Sequence, residues 1–328
     1  MRILRNTVDS YTVLKNDQQL ANDKLKLKKT AKKAVLTLFG LIVLIGISYI
    51  ILSPVFEIVS HSFFSDSDAT DPMVYMVAKH VTLEKFQAVI KTMGYWKILF
   101  GTMLNDIILM AIQVIICSMV GYGFARFDFP LKKLWFACVV IMIIIPTHVI
   151  MLPLYITFRS FDVFGIISMI KGQAINLHST IAPIYIMTVF GCGLNAGIYI
   201  YIFNQFFRGL PKEIEEAAFV DGAGSFYTYF RIMLVNAMPS VITVAVFSLV
   251  WQYNDFFFVK LFSVSNWMSM KVQAVYMSIA SVYELNSPTI IQLYLDAAIV
   301  LDLLPVLIIY IILQRYFVEG VERSGIVG

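Results

Sequence analysis

Six apolar runs set the limits on what this chain can become: residues 34–56, about 98–124, about 134–155, about 181–203, about 240–258 and about 292–316. At 1.5 Å per residue of helix the first reaches roughly 34 Å, enough to cross the ~30 Å hydrocarbon core of a bilayer. Inside lipid every backbone N–H and C=O must be satisfied within the protein, so such runs become helices. Charged residues make up 14% of the chain, against about 25% in soluble domains. The sequence therefore predicts an all-α polytopic membrane protein with six transmembrane helices, and a soluble-domain count from length does not apply.

The segments between the runs orient them. Residues 1–33 hold nine Lys/Arg, several of them in KLKLKKTAKK, immediately before the first run. A basic stretch in that place reads as a cytoplasmic orientation signal, not as a nucleic-acid arm. It is too long and polar for a signal peptide, and no small-residue cleavage site follows the apolar run. With both termini inside, the inner segments carry 17 Lys/Arg and the outer ones eight. The positive-inside rule supports that orientation. The expected organisation is a basic N-terminal segment 1–33, a first span with an outer segment 34–97, a core 98–317 with five spans, and a cytoplasmic tail 318–328. Residues 57–97 are mixed, with a helical pattern in VTLEKFQAVIK that suggests a partly interfacial helix. Pro146 and Pro153 would bend the third helix, since each removes a hydrogen bond.

Residues 210–239, LPKEIEEAAFVDGAGSFYTYFRIMLVNAMP, break the apolar pattern. Pro211 suits the first position of a helix. Glu213, Glu215 and Glu216 suit the positive end of its dipole, and Ala217 and Ala218 are small enough to admit another backbone. Asp221-Gly222 reads as a stop, because Gly tolerates the left-handed conformation that ends helices. Ser225 can cap a second helix carrying Phe226, Tyr229, Phe230 and Met233. The product is a helix–turn–helix too charged to cross a bilayer yet tethered between two spans. The competing reading is an ordinary amphipathic connector.

Glu216-Ala217-Ala218, Gly222, Ile232 and Leu234 resemble the "EAA" signature of permease subunits of bacterial ABC importers. Val235 departs from the Pro that closes that signature, and the next proline is Pro239. Ala125-Arg126-Phe127-Asp128-Phe129-Pro130, the Pro146 and Pro153 segment and the tail QRYFVEGVERSGIVG resemble the carbohydrate branch of the same family. In the tail, Glu319 and Val327 replace the family's common lysines. Residues 164–179 look inserted relative to the family. The resemblance implies the type I importer permease fold and a bacterial cytoplasmic membrane location. It implies a second, homologous permease, a dimer of ATP-binding subunits and an extracytoplasmic solute-binding protein. The substrate it implies is a sugar or oligosaccharide, and Glu215, Glu216, Ala217, Ala218, Asp221 and Gly222 fall in its ATPase-coupling element.

The chain carries no GxxxxGK[ST] phosphate loop and no HExxH, so neither ATP hydrolysis nor metal catalysis is expected of it. Cys117, Cys138 and Cys192 have no metal-ligand spacing, and no cofactor is implied. A charge in a bilayer costs at least ~2.5–3.5 kcal/mol, so Asp106, Asp255, Asp296 and Asp302 must face protein or water. The first three are expected near helix ends, and Asp302, lying deeper, is the functional candidate. Asp296 and Asp302 are six residues apart and do not share a helix face. A sugar path needs aromatic faces with amides or carboxylates, which Asn195, Tyr199, Trp251, Tyr253, Asn254 and Asp302 offer. An interfacial aromatic belt is the alternative for the rings. Two other functions stand beside the sugar importer: an ABC permease for another solute, and an ion-coupled secondary transporter using Asp302.

Overall fold

The computed structural model describes residues 2–325. The side chains of the basic segment through Lys28, and those of the tail from Tyr316 with Glu319 and Val327, lie outside the described residues. Two compact units divide the chain, residues 1–60 and 61–328. The first unit is one helix, α1 (Arg2–His61), whose apolar length is Lys32–His61.

The regular elements of the second unit are all helices among its described residues, apart from one isolated bridge between Phe161 and Ile175. It opens with α2 (Asp66–Thr70) and α3 (Glu84–Met93). The helix expected here forms, and one of its faces packs into the body. Lys85, Ala88, Val89 and Met93 of α3 are buried against α15 (Met268–Val282) and α16 (Pro288–Gly325). Lys85 tolerates that burial because Nζ reaches Asp66 Oδ1 at 2.6 Å and lies 5.1 Å from the Tyr294 ring centroid.

The central element is α4 (Tyr95–Arg126), an unbroken 32-residue helix. The third run is not one span. Lys132–Ile144 forms α5, a 3₁₀ turn occupies Thr147–Ile150, and Met151–Arg159 forms α6, with a bend of 103° between the two halves. Pro146 sits in that break, and the residue before it, Ile145, is extended, as a proline requires of its predecessor. Pro153 does not bend anything: it is the third residue of α6, in a first turn whose N–H groups have no intrahelical partner anyway.

Residues 164–179 close on themselves. The backbones of Phe161 and Ile175 exchange hydrogen bonds of 2.9 and 3.1 Å around α7 (Ile166–Lys171). The Ser168 hydroxyl and the amides of Ser168 and Ile167 hold the Asp162 carboxyl below its ordinary range. That contribution to the loop is full above the usual carboxylate range and is lost as pH falls below that range through the lowered value of the folded state.

The fourth run is also interrupted. Ala182–Val189 forms α8 and Ala196–Gly209 forms α9, with Gly191 (φ 71°) and Asn195 (φ 58°) both left-handed between them. Next come α10 (Glu213–Val220), α11 (Ser225–Tyr227), a π-helical turn at Thr228–Met233, α12 (Leu234–Asn236) and α13 (Met238–Tyr253). The α11–α12 segment meets α13 at 79°. Last before α15 is α14 (Phe257–Leu261). Among the described residues three helices are long and apolar enough to span a membrane, or up to five if each bent pair counts as one. The sixth region, α8 with α9, misses that length because of its left-handed break.

Glycine brings two of these helices together. A Cβ on Gly121 of α4 would lie 2.7 Å from Phe203 Cβ and 3.0 Å from the Asn204 amide nitrogen and the Ile200 carbonyl oxygen of α9. Gly197 likewise lets α9 approach α5, where its Cβ would meet Met142, Ile143 and the Val139 carbonyl at 3.1 Å. Small residues at crossings are how helices gain packing in lipid, where burial of apolar surface provides no drive.

Candidate functional site

The loop 210–239 folds as its residues predict in outline. The end of α10 is a Schellman motif: Gly222 has φ 81°, its N–H reaches the Phe219 carbonyl at 3.0 Å, and the Ala223 N–H reaches the Ala218 carbonyl at 2.9 Å. Two details of its capping differ. Pro211 lies two residues before the helix, whose N-cap is Lys212. Ser225 is the first residue of α11 and not its cap, which is Gly224, and the Gly224 position has no side chain to offer.

The two faces of α10 have different surroundings. Glu216, Ala217, Phe219, Val220, Asp221 and Gly222 are exposed, Val220 to 86%. Phe226 and Tyr227, just past the turn, are exposed as well. Glu215 and Ala218 point the other way and are buried. Of the six residues expected to couple to an ATPase, therefore, four lie on an accessible face and two on the inner one.

Glu215 is held by α4. Arg126 Nε lies 3.1 Å from Glu215 Oε2, and the Tyr122 hydroxyl donates to Glu215 Oε1. Arg126 Nη2 also donates to the Leu210 carbonyl at 2.8 Å. Both charged side chains are nearly enclosed, 5% and 10% exposed. Removing one member of a buried ion pair leaves the other uncompensated, typically at about 3–5 kcal/mol.

The residues proposed for a solute path separate into two groups. Tyr199 is buried in the α4–α5–α9 core and does not line a surface. Tyr253 is buried too, and its hydroxyl donates to the Asp302 carbonyl oxygen and Oδ1 at 3.0 and 3.1 Å. Trp251 is half exposed and Asn254 is exposed, while Asn195 and Asp302 are partly buried. In the run from Trp251 to Asp255, Trp251 and Asn254 face out while Gln252, Tyr253 and Asp255 face in. Gln252 goes inward to Gln113 Oε1 at 2.9 Å, and Asp255 caps α14 by accepting from the amides of Phe257 and Phe258.

The carboxylates are reordered by this geometry. Asp255 lies at a helix end, as expected. Asp106 does not: it is in the middle of α4, fully buried, and neither oxygen has a hydrogen-bond partner among the described residues. Asp296 accepts from Gln292 at 2.9 Å and lies 3.6 Å from His61, whereas Asp302 meets Tyr253, so the two indeed use different faces of α16. Because nothing stabilises charge on Asp106, Asp106→Asn is expected to raise the melting temperature of the protein in detergent, read by the loss of monodisperse protein on heating. A lower melting temperature would mean that the carboxylate has a partner after all.

Comparison with known proteins adds the following. Residues 113–323 match the family model described as binding-protein-dependent transport system inner membrane component. The chain is 26% identical to the arabinooligosaccharides transport system permease protein AraQ of Halalkalibacterium halodurans, over 86% of this chain and 93% of that one. It is 30% identical to the melibiose/raffinose/stachyose import permease protein MelC of Bacillus subtilis, over 66% of this chain and 70% of the relative. Its fold is similar to that of a chain in the crystal structure of a bacterial ABC transporter involved in import of the acidic polysaccharide alginate, with a TM-score of 0.66 at 18% identity, covering 85% of this chain and 96% of the other.

Proposed function

This chain belongs to the family of binding-protein-dependent transport system inner membrane components, and we propose that it lines the path of a sugar or oligosaccharide through the membrane. It is a permease subunit of an ABC importer and sits in the cytoplasmic membrane by several passes. The sugar assignment is supported by relatives named for arabinooligosaccharides and for melibiose, raffinose and stachyose. ATP hydrolysis belongs to separate cytoplasmic subunits, a second permease completes the path, and an extracytoplasmic binding protein delivers the solute. Both termini of this chain are cytoplasmic.

The observation that carries the coupling assignment is the accessible face of α10 and its turn, where Phe219 and Val220 stand exposed beside Glu216, Asp221 and Gly222. Apolar side chains on a charged loop outside the spans mark a protein contact. An ATPase closing on that face moves the loop and rocks the spans as rigid bodies. A path shared with a second permease is lined by surface groups, so Trp251 and Asn254 are its residues here, with Asn195 and Asp302 at its edge. Tyr199 and Tyr253 support them from within.

Two measurements test this reading. Single cysteines at 128 and 225 are expected to react with a membrane-impermeant maleimide only from the cytoplasm, and one at 270 only from outside. Reaction of position 225 from outside would remove the coupling assignment. Uptake of labelled arabinotriose or raffinose is expected to require the ATPase subunits and to persist with an uncoupler at fixed ATP. Uptake that collapses with the proton gradient instead would favour an ion-coupled carrier.

A further inference from the structure

The inner face of the coupling segment is joined to α4 by more than packing. Ser118, Tyr122 and Arg126 recur every four residues and so form one stripe on the last turns of α4. Each reaches a different part of the coupling segment. Arg126 Nη2 holds the Leu210 carbonyl, where the chain leaves α9. The Tyr122 hydroxyl donates to Glu215 Oε1 on α10, and Arg126 Nε lies 3.1 Å from Oε2 as an ion pair without a hydrogen bond from that nitrogen among the described residues. The Ser118 hydroxyl lies 2.6 Å from the hydroxyl of Tyr229, inside the π-helical turn that follows. The Tyr122 ring fills the space between, with centroids 5.2 Å from Tyr229 and 5.4 Å from Phe207. Ser118, Tyr122, Glu215 and Tyr229 are all buried.

We propose that this stripe is a latch, and that Arg126, Glu215 and Tyr122 are positioning residues for transport that make α4 move as one body with the coupling helix. The inference rests on the coupling assignment above and adds what receives the push. Packing alone would let two helices slide, because apolar side chains have no preferred register. A carboxylate that accepts from a hydroxyl on one side and faces a guanidinium on the other, itself bonded to the Leu210 carbonyl, favours one register, and a water-poor surrounding strengthens that attraction. A left-handed link of the kind that breaks α8 from α9 is absent within α4, so what enters at Arg126 is carried along the whole of a 32-residue helix. π-helical turns often mark functional positions in helices. The one at Thr228–Met233 places Tyr229 against Ser118, so both arms of the helix–turn–helix are fastened to the same stripe.

The latch makes no contact on the exposed face of α10, so its loss should leave docking intact and release only the motion. The test uses the importer purified with its own ATPase subunits, spin-labelled at exposed Glu213 of α10 and at Asp128 just beyond α4. Pulsed electron spin resonance then reads the distance between the labels without nucleotide and after vanadate trapping with ATP. In the parent protein the distance distribution should be narrow and the same in both states. Glu215→Ala should broaden it and separate the two states while ATPase subunits remain bound. Glu215→Gln, which keeps a carbonyl acceptor for Tyr122 but loses the charge that faces Arg126, should narrow the distribution only part of the way back. Tyr122→Phe is the mild variant if Glu215→Ala does not assemble, and it should broaden the distribution by a smaller amount. A parent distance that changes between nucleotide states would overturn the latch. So would a distribution unchanged in Glu215→Ala, or in Tyr122→Phe where that variant takes its place. Failure of any ATPase to co-purify with the parent chain would instead refute the coupling assignment beneath it.

Discussion

Gly121→Val is expected to prevent α4 and α9 from packing, with a large loss of folded protein. The added Cβ alone would lie 2.7 Å from Phe203 Cβ and 3.0 Å from two backbone atoms of α9. Side-chain ends can turn aside, but a helix backbone cannot move without its neighbours. Overpacking of this kind typically costs 1–3 kcal/mol. The gain in helix propensity on replacing Gly is roughly 0.5–1 kcal/mol even for Ala, so the clash wins. Separating the helices also strains the bond from Asn204 Nδ2 to the Gly121 carbonyl, now 3.3 Å. The measurement is the yield and melting of monodisperse protein in detergent. Gly123→Ala is the control. A Cβ there meets nothing within 4 Å, so it should be neutral or slightly stabilising. Equal behaviour of the two variants would mean that α4 and α9 do not cross closely.

Gly222→Val should do the reverse, leaving the fold in place and abolishing coupled transport. Gly222 has φ 81°, and a side chain built there meets nothing within 4 Å. The penalty is therefore backbone strain, about 1–2 kcal/mol for an L-residue in the left-handed region, and highest for a β-branched one. That is too little to unfold the chain but comparable with the interactions that hold a Schellman turn. The turn should open, displacing the exposed face that Glu216, Ala217 and Asp221 share. Uptake should fall at least tenfold with normal membrane insertion, and the retained ATPase subunits should hydrolyse ATP without transport or be lost. Gly222→Asn, which tolerates the left-handed conformation, should keep much of the activity. Glu216→Lys, on the exposed face at the start of the helix, should weaken ATPase retention by reversing charge at the positive end of the dipole. If Gly222→Val and Glu216→Lys both match the parent in retention and uptake, α10 is only a connector.

Both predictions concern glycines, yet only one was legible without coordinates. Gly222 follows an acidic helix start at a fixed spacing and ends it for a reason intrinsic to the backbone. Gly121 ends no helix and marks no turn, so its role depends on where α9 lies.

The chain's own sequence determined the helical class, the apolar runs, the charged helix–turn–helix between two of them and the break at Pro146. These follow from local causes: run length against bilayer thickness, capping, and the missing N–H of proline. The tertiary structure alone decided which residues face which neighbour. Glu215 and Glu216 are adjacent and chemically identical, but one is enclosed by Arg126 and Tyr122 while the other meets solvent. Asp106, expected near a helix end, is buried in mid-helix, and Tyr199 and Tyr253 are internal supports. In a soluble protein the polar face of a helix would have announced these orientations. In lipid the outer face is as apolar as the inner one, so the sequence pattern loses its direction and only helix packing supplies it.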